Sequence, residues 1–67
     1  MNTVDGEYMT EWWADKIGRS VIFRYQHGEE QAGVVTSVND RYVFVRFGSA
    51  IGSQSCDPRM LRLAVDV

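Results

Sequence analysis

From Ile17 onward, apolar and polar positions alternate with the period of two that a β-strand imposes. Val21, Phe23 and Tyr25 fall on one face of a first strand, and Ile22 and Arg24 on the other. A polar loop, Gln26–Gln31, carries Gly28, and Gly33 follows it. Val34–Val38 reads as a second strand, rich in β-branched residues. Asn39-Asp40 is a two-residue connector of residue types that tolerate a tight hairpin. Arg41–Phe47 gives the clearest alternation: Val43, Val45 and Phe47 point to the core, and Tyr42, Phe44 and Arg46 point away. Gly48–Gly52 is a turn, and Ser53–Cys56 a short fourth strand. In Asp57-Pro58-Arg59-Met60, an acid precedes a proline at the first helical position, which predicts a single 3-10 turn. Leu61–Val65 closes the series, with Leu61, Leu63 and Val65 on one face.

Residues 1–16 follow a different period. Tyr8 and Trp12 are four apart, as are Met9 and Trp13, which is helical spacing. Thr10 can cap a short turn through Glu11–Lys16, and Gly18 can end it. The first five or so residues are expected to be mobile, and Met9 could also serve as a start. The predicted organisation is therefore a helical or irregular leader with a Trp pair over residues 1–16, then an all-β body over residues 17–67. Five short strands in so few residues are too few for a two-layer sandwich. Curling into a partly open five-stranded barrel removes the exposed edges.

Composition narrows the class. At 67 residues the chain makes one domain, and a domain of this size buries only about 60% of its unfolded surface. Its single cysteine, Cys56, excludes an internal disulfide scaffold. The start MNTVDGEYMT lacks the pattern of a signal peptide, and no stretch approaches the roughly 20 apolar residues of a membrane span. A cytoplasmic protein with no membrane partner is expected. The net charge of −2 hides an asymmetry. Residues 1–15 hold four acids, Asp5, Glu7, Glu11 and Asp15, and no base, whereas seven bases face five acids over residues 16–67. An acidic leader is either plain solvated surface or a cover for a mildly basic face.

The runs IGRSVIFRY, GVVTSVNDRYVFVRF and SQSCDPRMLRL together resemble the SH3-like barrel superfamily in its Tudor-like and KOW-like forms. The resemblance covers roughly residues 17–65 and lies in the layout, with DPRM as the helical turn before the last strand. The compact style is also similar to small bacterial prophage-encoded proteins. Membership would imply a binding module. Tudor-like barrels hold methylated side chains in an aromatic cage, and Tyr25, Tyr42 and Phe44 are the aromatics left for one once Phe47 goes to the core. SH3 domains bind proline-rich peptides with aromatic and acidic residues. Glu29 and Glu30 sit in the corresponding loop, but the ALYDY-type run is absent.

Candidate chemistry points to binding. His27, Cys56 and Asp57 would have to meet to form a nucleophilic site. His27 reads as a solvated loop residue and Cys56 as a packing residue, so no enzyme is expected. Paired metal ligands and a phosphate-cradling glycine loop are lacking, so no cofactor is expected. Arg24, Tyr42, Phe44 and Arg46, with Ile22, would form one surface if the first and third strands expose the same side. Alternating aromatic and arginine side chains can stack bases and neutralise phosphates. Alternatively, Tyr42 and Phe44 pack beneath the Trp pair. Trp12 and Trp13, about 100° apart on a helix, can divide between a buried plug and an exposed anchor for a protein partner. The expected function is a protein-interaction or assembly module acting through the aromatic face of the third strand, Tyr42 and Phe44, with the Trp12 and Trp13 leader, self-association included. The alternative is an RNA- or DNA-binding accessory protein using Arg24, Tyr42, Phe44 and Arg46.

Overall fold

The computed structural model describes residues 10–64. The helical pairings of Tyr8 and Met9, the mobility expected at the start of the leader and the face assigned to Val65 lie outside the described residues.

The described residues begin with α1 (Thr10–Trp13), continued by a first 3-10 turn (Ala14–Lys16). Gly18 then takes φ +91°, the left-handed region that glycine enters without a Cβ penalty, and reverses the chain into the sheet. The strands are β1 (Ser20–Arg24), β2 (Glu30–Val38), β3 (Val43–Phe47), β4 (Gln54–Cys56) and β5 (Leu61–Leu63). They form one antiparallel sheet in the order β4-β3-β2-β1-β5. The last strand thus returns beside the first, and the Ala64 N–H extends that pairing by donating to the Ser20 carbonyl at 3.0 Å. β4 and β5 are the two edges and are not paired with each other, so the sheet is open.

A second 3-10 turn (Pro58–Met60) precedes β5, at the position the sequence predicts. Asp57 caps it by accepting from the Arg59 backbone N–H at 2.9 Å, and Pro58 occupies the first turn, where no amide donor is required.

β1 stops at Arg24, β4 starts at Gln54 and β5 stops at Leu63, each one residue inside the sequence reading over the described residues, and two boundaries differ by more. β2 begins at Glu30 rather than Val34, because Glu30, Gln31 and Ala32 pair with Arg24, Phe23 and Ile22 although all three are exposed. Arg41 and Tyr42 belong to a turn and not to β3. The Asn39 side-chain oxygen accepts from both of their backbone N–H groups, at 2.8 and 2.7 Å, and draws them out of the strand.

Register sorts the side chains into two faces. Val21, Val35, Val43, Val45, Phe47, Cys56 and Leu61 are buried together with Trp13, which is 0% exposed. The core is therefore shared between the sheet and the residue that ends α1. A flat sheet under two helical turns could not exclude water from strands this far apart, so the sheet curls around Trp13. The register shift between Val35 and Ser37 adds to the twist. Thr36, the extra residue, donates its hydroxyl to the Phe44 carbonyl at 3.2 Å and lies 2.6 Å from the Ser53 hydroxyl.

Candidate functional site

The pairing of Ser20 with Val34 and of Val34 with Arg46 places Ser20, Ile22, Arg24, Val34, Phe44 and Arg46 on one face, opposite the core. Strands β1 and β3 do expose the same side, the condition that joins Arg24 to Phe44 and Arg46. Arg62 enters this face opposite Ile22. Phe44 is half-buried there, on the other side of the sheet from Trp13, so it does not pack beneath the buried indole. Tyr42 stands beside this face in the β2–β3 turn, 42% exposed.

The remaining sequence-predicted residues go elsewhere. Trp13 is enclosed in the core and offers no surface to a partner. Trp12 packs edge-on against it, with centroids 5.1 Å apart, and carries the Lys16 ammonium 4.1 Å above its own ring. Trp12 is therefore half-buried between the core and a cation. Tyr25 follows Val21 and Phe23 on the core side of β1, past the end of the strand, and comes near the arginine face only there, beside Arg24 and Arg62. The seven residues do not form one site.

What the fold does assemble lies around Tyr25. Its N–H donates to the Glu29 carbonyl at 2.8 Å, and the Gly28 N–H donates to the Tyr25 carbonyl at 2.9 Å. Gly28 has φ +99°, which lets the β1–β2 turn close in so few residues. This turn continues the alternation of β1 as a ladder of rings. Phe47 meets Phe23 at 6.1 Å, Phe23 meets Tyr25 edge-on at 4.8 Å, and Tyr25 stacks on His27 at 5.4 Å. Two bonds fix the ladder: the Tyr25 hydroxyl to Gln31 Oε1 at 2.6 Å, and His27 Nε2 to Glu29 Oε1 at 2.9 Å.

Opposite the ladder stands the second 3-10 turn. Asp57 accepts from Arg59 Nε at 3.2 Å and from its terminal nitrogen at 2.9 Å. These hydrogen bonds from Arg59 hold the Asp57 carboxyl below its ordinary range. Between turn and ladder runs a hollow of about 470 Å³, walled by Phe23, Tyr25, His27, Asp57, Arg59 and Met60. A second hollow of about 310 Å³ is lined by Arg24, Arg59 and Arg62 with Tyr25, Gln26 and Met60. Tyr25, Gln26, Arg59 and Met60 border both, so the two are the ends of one groove. It is aromatic at one end and cationic at the other.

The sequence pointed to Tyr25 and Arg24 but left out His27, Phe23 and Met60. The signal for two of these was present: Phe23, Tyr25 and His27 are spaced i, i+2, i+4, the alternation of β1 carried into the loop. A larger hollow of about 660 Å³ lies between α1 and the β2–β3 turn. Its wall has no aromatic ring, and it borders Thr10, the first described residue.

Cys56 faces the core, and burial pushes its thiol up to about 11. His27 is exposed in the β1–β2 turn. Among the described residues no three His, Cys, Asp or Glu side chains cluster as metal ligands would, and no helix is long and apolar enough to cross a membrane. No family model, no curated protein and no solved structure matches the chain.

Proposed function

We propose that this chain is a non-enzymatic binding module of the SH3-like barrel type. It takes an extended segment of a partner protein along the groove between the β1–β2 turn and the second 3-10 turn. The return of β5 beside β1, with a 3-10 turn immediately before it, supports the barrel reading. The observation that carries the function is the ring ladder Phe23–Tyr25–His27 forming one wall of a surface groove. Rings already fixed by stacking and hydrogen bonds give contact area to a ligand at little cost in side-chain entropy. Met60 on the opposite wall is an unbranched side chain that adapts to what it meets.

The test is selection of end-capped 12-residue peptides from a random library on the immobilised protein, followed by amide NMR mapping of the enriched sequences. Shifts on residues 23–27 and 57–62 that disappear in Tyr25→Ala support the reading. Enriched peptides that map to other residues, or no enrichment at all, would sink it.

A second reading rests on the register. It gathers Arg24, Arg46 and Arg62 with Ile22, Val34 and Phe44 on the outer face, where arginines outnumber the one acid, Glu30. Such a face fits a single-stranded nucleic acid. Titration with short RNA and DNA at low and moderate salt checks it. Salt-sensitive shifts on residues 22, 24, 44 and 46 would favour it, and no shifts at low salt would dispose of it.

A further inference from the structure

We infer, resting on the reading of this groove as a peptide site, that its cationic end takes the side-chain carboxylate of an acidic residue in the bound segment. Three guanidiniums, those of Arg24, Arg59 and Arg62, line that hollow, and no carboxylate does. Two of the three are held in place from outside it. Glu30 accepts two hydrogen bonds from Arg62, at 2.9 and 3.1 Å, and Asp57 accepts two from the Arg59 side chain. Arg24 is different. It stands opposite Glu30 in the β1–β2 register, but Glu30 gives both of its oxygens to Arg62. Arg24 therefore acts on Glu30 only through space. The hollow has one exposed guanidinium that no carboxylate forks, beside two that are already oriented.

A planar guanidinium presents paired N–H groups that match the two oxygens of a carboxylate. Tyr25 and Met60 border both hollows, so a chain crossing them can set an apolar residue on the Tyr25–His27 end. A neighbouring residue then falls within reach of Arg24. The partner chemistry that fits is an acidic peptide with an apolar or aromatic residue close to an Asp or Glu. The cationic lining also speaks against a basic ligand at this end.

The test uses the capped peptides enriched on the full chain, each made with its acidic residue as Glu and as Gln. The caps remove the chain-end carboxylate from consideration. Fluorescence anisotropy is read on wild type, Arg24→Gln and Tyr25→Ala. The enriched sequences are expected to share an Asp or Glu at a fixed distance from an apolar residue. The Gln version should bind wild type about tenfold more weakly. Arg24→Gln should bind both versions alike while melting at the wild-type temperature, and Tyr25→Ala should bind neither.

Enriched peptides that use Tyr25 without a shared acidic position would overturn this inference and leave the peptide reading intact. So would a Glu-to-Gln loss of the same size on Arg24→Gln as on wild type. The carboxylate assignment also fails if phosphoserine versions bind where Glu versions do not, or if a short single-stranded RNA displaces the peptides from Arg24. Peptides that leave the residues 23–27 amides unmoved would remove both readings together.

Discussion

Arg62 on β5 and Glu30 on β2 form a two-bond fork, 2.9 and 3.1 Å, that passes over the strand lying between them. β1 separates β2 from β5 in the sheet, so this pair clasps three strands with one contact. The hydrogen bond from Arg62 lowers the Glu30 pKa from its ordinary 4.5. A carboxyl whose folded pKa is depressed adds stability that is present above the unfolded value and lost as pH falls through the folded one. Glu30→Gln is therefore expected to lower the urea midpoint at pH 7 and to leave it nearly unchanged at pH 3. Both side chains are well exposed, so the difference should shrink in 1 M salt. Urea titrations at the two pH values and two salt levels check this. An equal effect at pH 3 and pH 7 would mean that the fork does not hold in solution.

Gly33 lies on the core face of β2, opposite Val21 and Phe47. A Cβ there would stand 2.5 Å from Val45 Cγ1, 2.8 Å from Phe47 Cδ1 and 2.9 Å from the Arg46 carbonyl oxygen. The last of these is backbone and cannot turn away. Gly33→Ala should cost about 1–3 kcal/mol through overpacking. At Gly52 an added Cβ meets nothing within 4 Å, so Gly52→Ala should stay within about 0.5 kcal/mol of wild type. Thermal melts of the two variants separate a packing requirement from a general intolerance of alanine.

How much of this was readable from the chain depends on where water reaches. The Val43, Val45, Phe47 face was legible because one side of β3 is dry and the other wet, which writes period two into the sequence. The start of β2 was hidden because Glu30, Gln31 and Ala32 are exposed on both faces, and a strand wet on both sides has no hydrophobic period. The Asp57-Pro58 cap was legible because its determinants are local. Tyr25 and Arg24 could be picked out as residue types, but the groove could not. Its second wall is Arg59 and Met60, brought opposite Tyr25 only by the return of β5 beside β1. Burial of Trp13, but not of Trp12, follows from how the sheet curls, and that too is absent from spacing alone.

Trp13 is fully buried in a domain whose whole stability is about 3–10 kcal/mol for this length. Trp13→Ala removes about 3–5 kcal/mol, about a third or more of that stability, and should lower the urea midpoint far more than Trp12→Ala does. Trp12→Ala removes a half-buried ring and should leave a folded protein with a lower midpoint. The two variants also divide the fluorescence. The Trp12→Phe protein should retain a blue-shifted emission from Trp13 that moves red only on unfolding. Red-shifted emission from that variant in native buffer would place Trp13 in water and contradict the core.

Cys56 reports on the same core from its edge. It ends β4, a strand of three residues paired only to β3, yet its side chain is 3% exposed. Burial raises its thiol pKa from 9.0 to about 11, so the folded state holds a proton that the unfolded chain releases. A raised pKa contributes stability that is complete below 9.0 and is lost as pH rises through about 11. Only the thiolate attacks an alkylating reagent, so at pH 8 iodoacetamide must wait for an opening. If β4 opens only with the rest of the sheet, labelling in native buffer should be at least about a hundredfold slower than in urea. Its rate should then rise with urea in step with the red shift of Trp13. Native labelling close to the unfolded rate would show β4 leaving the sheet on its own. The dry contact between Cys56 and the valines of β3 would then not be part of the working fold.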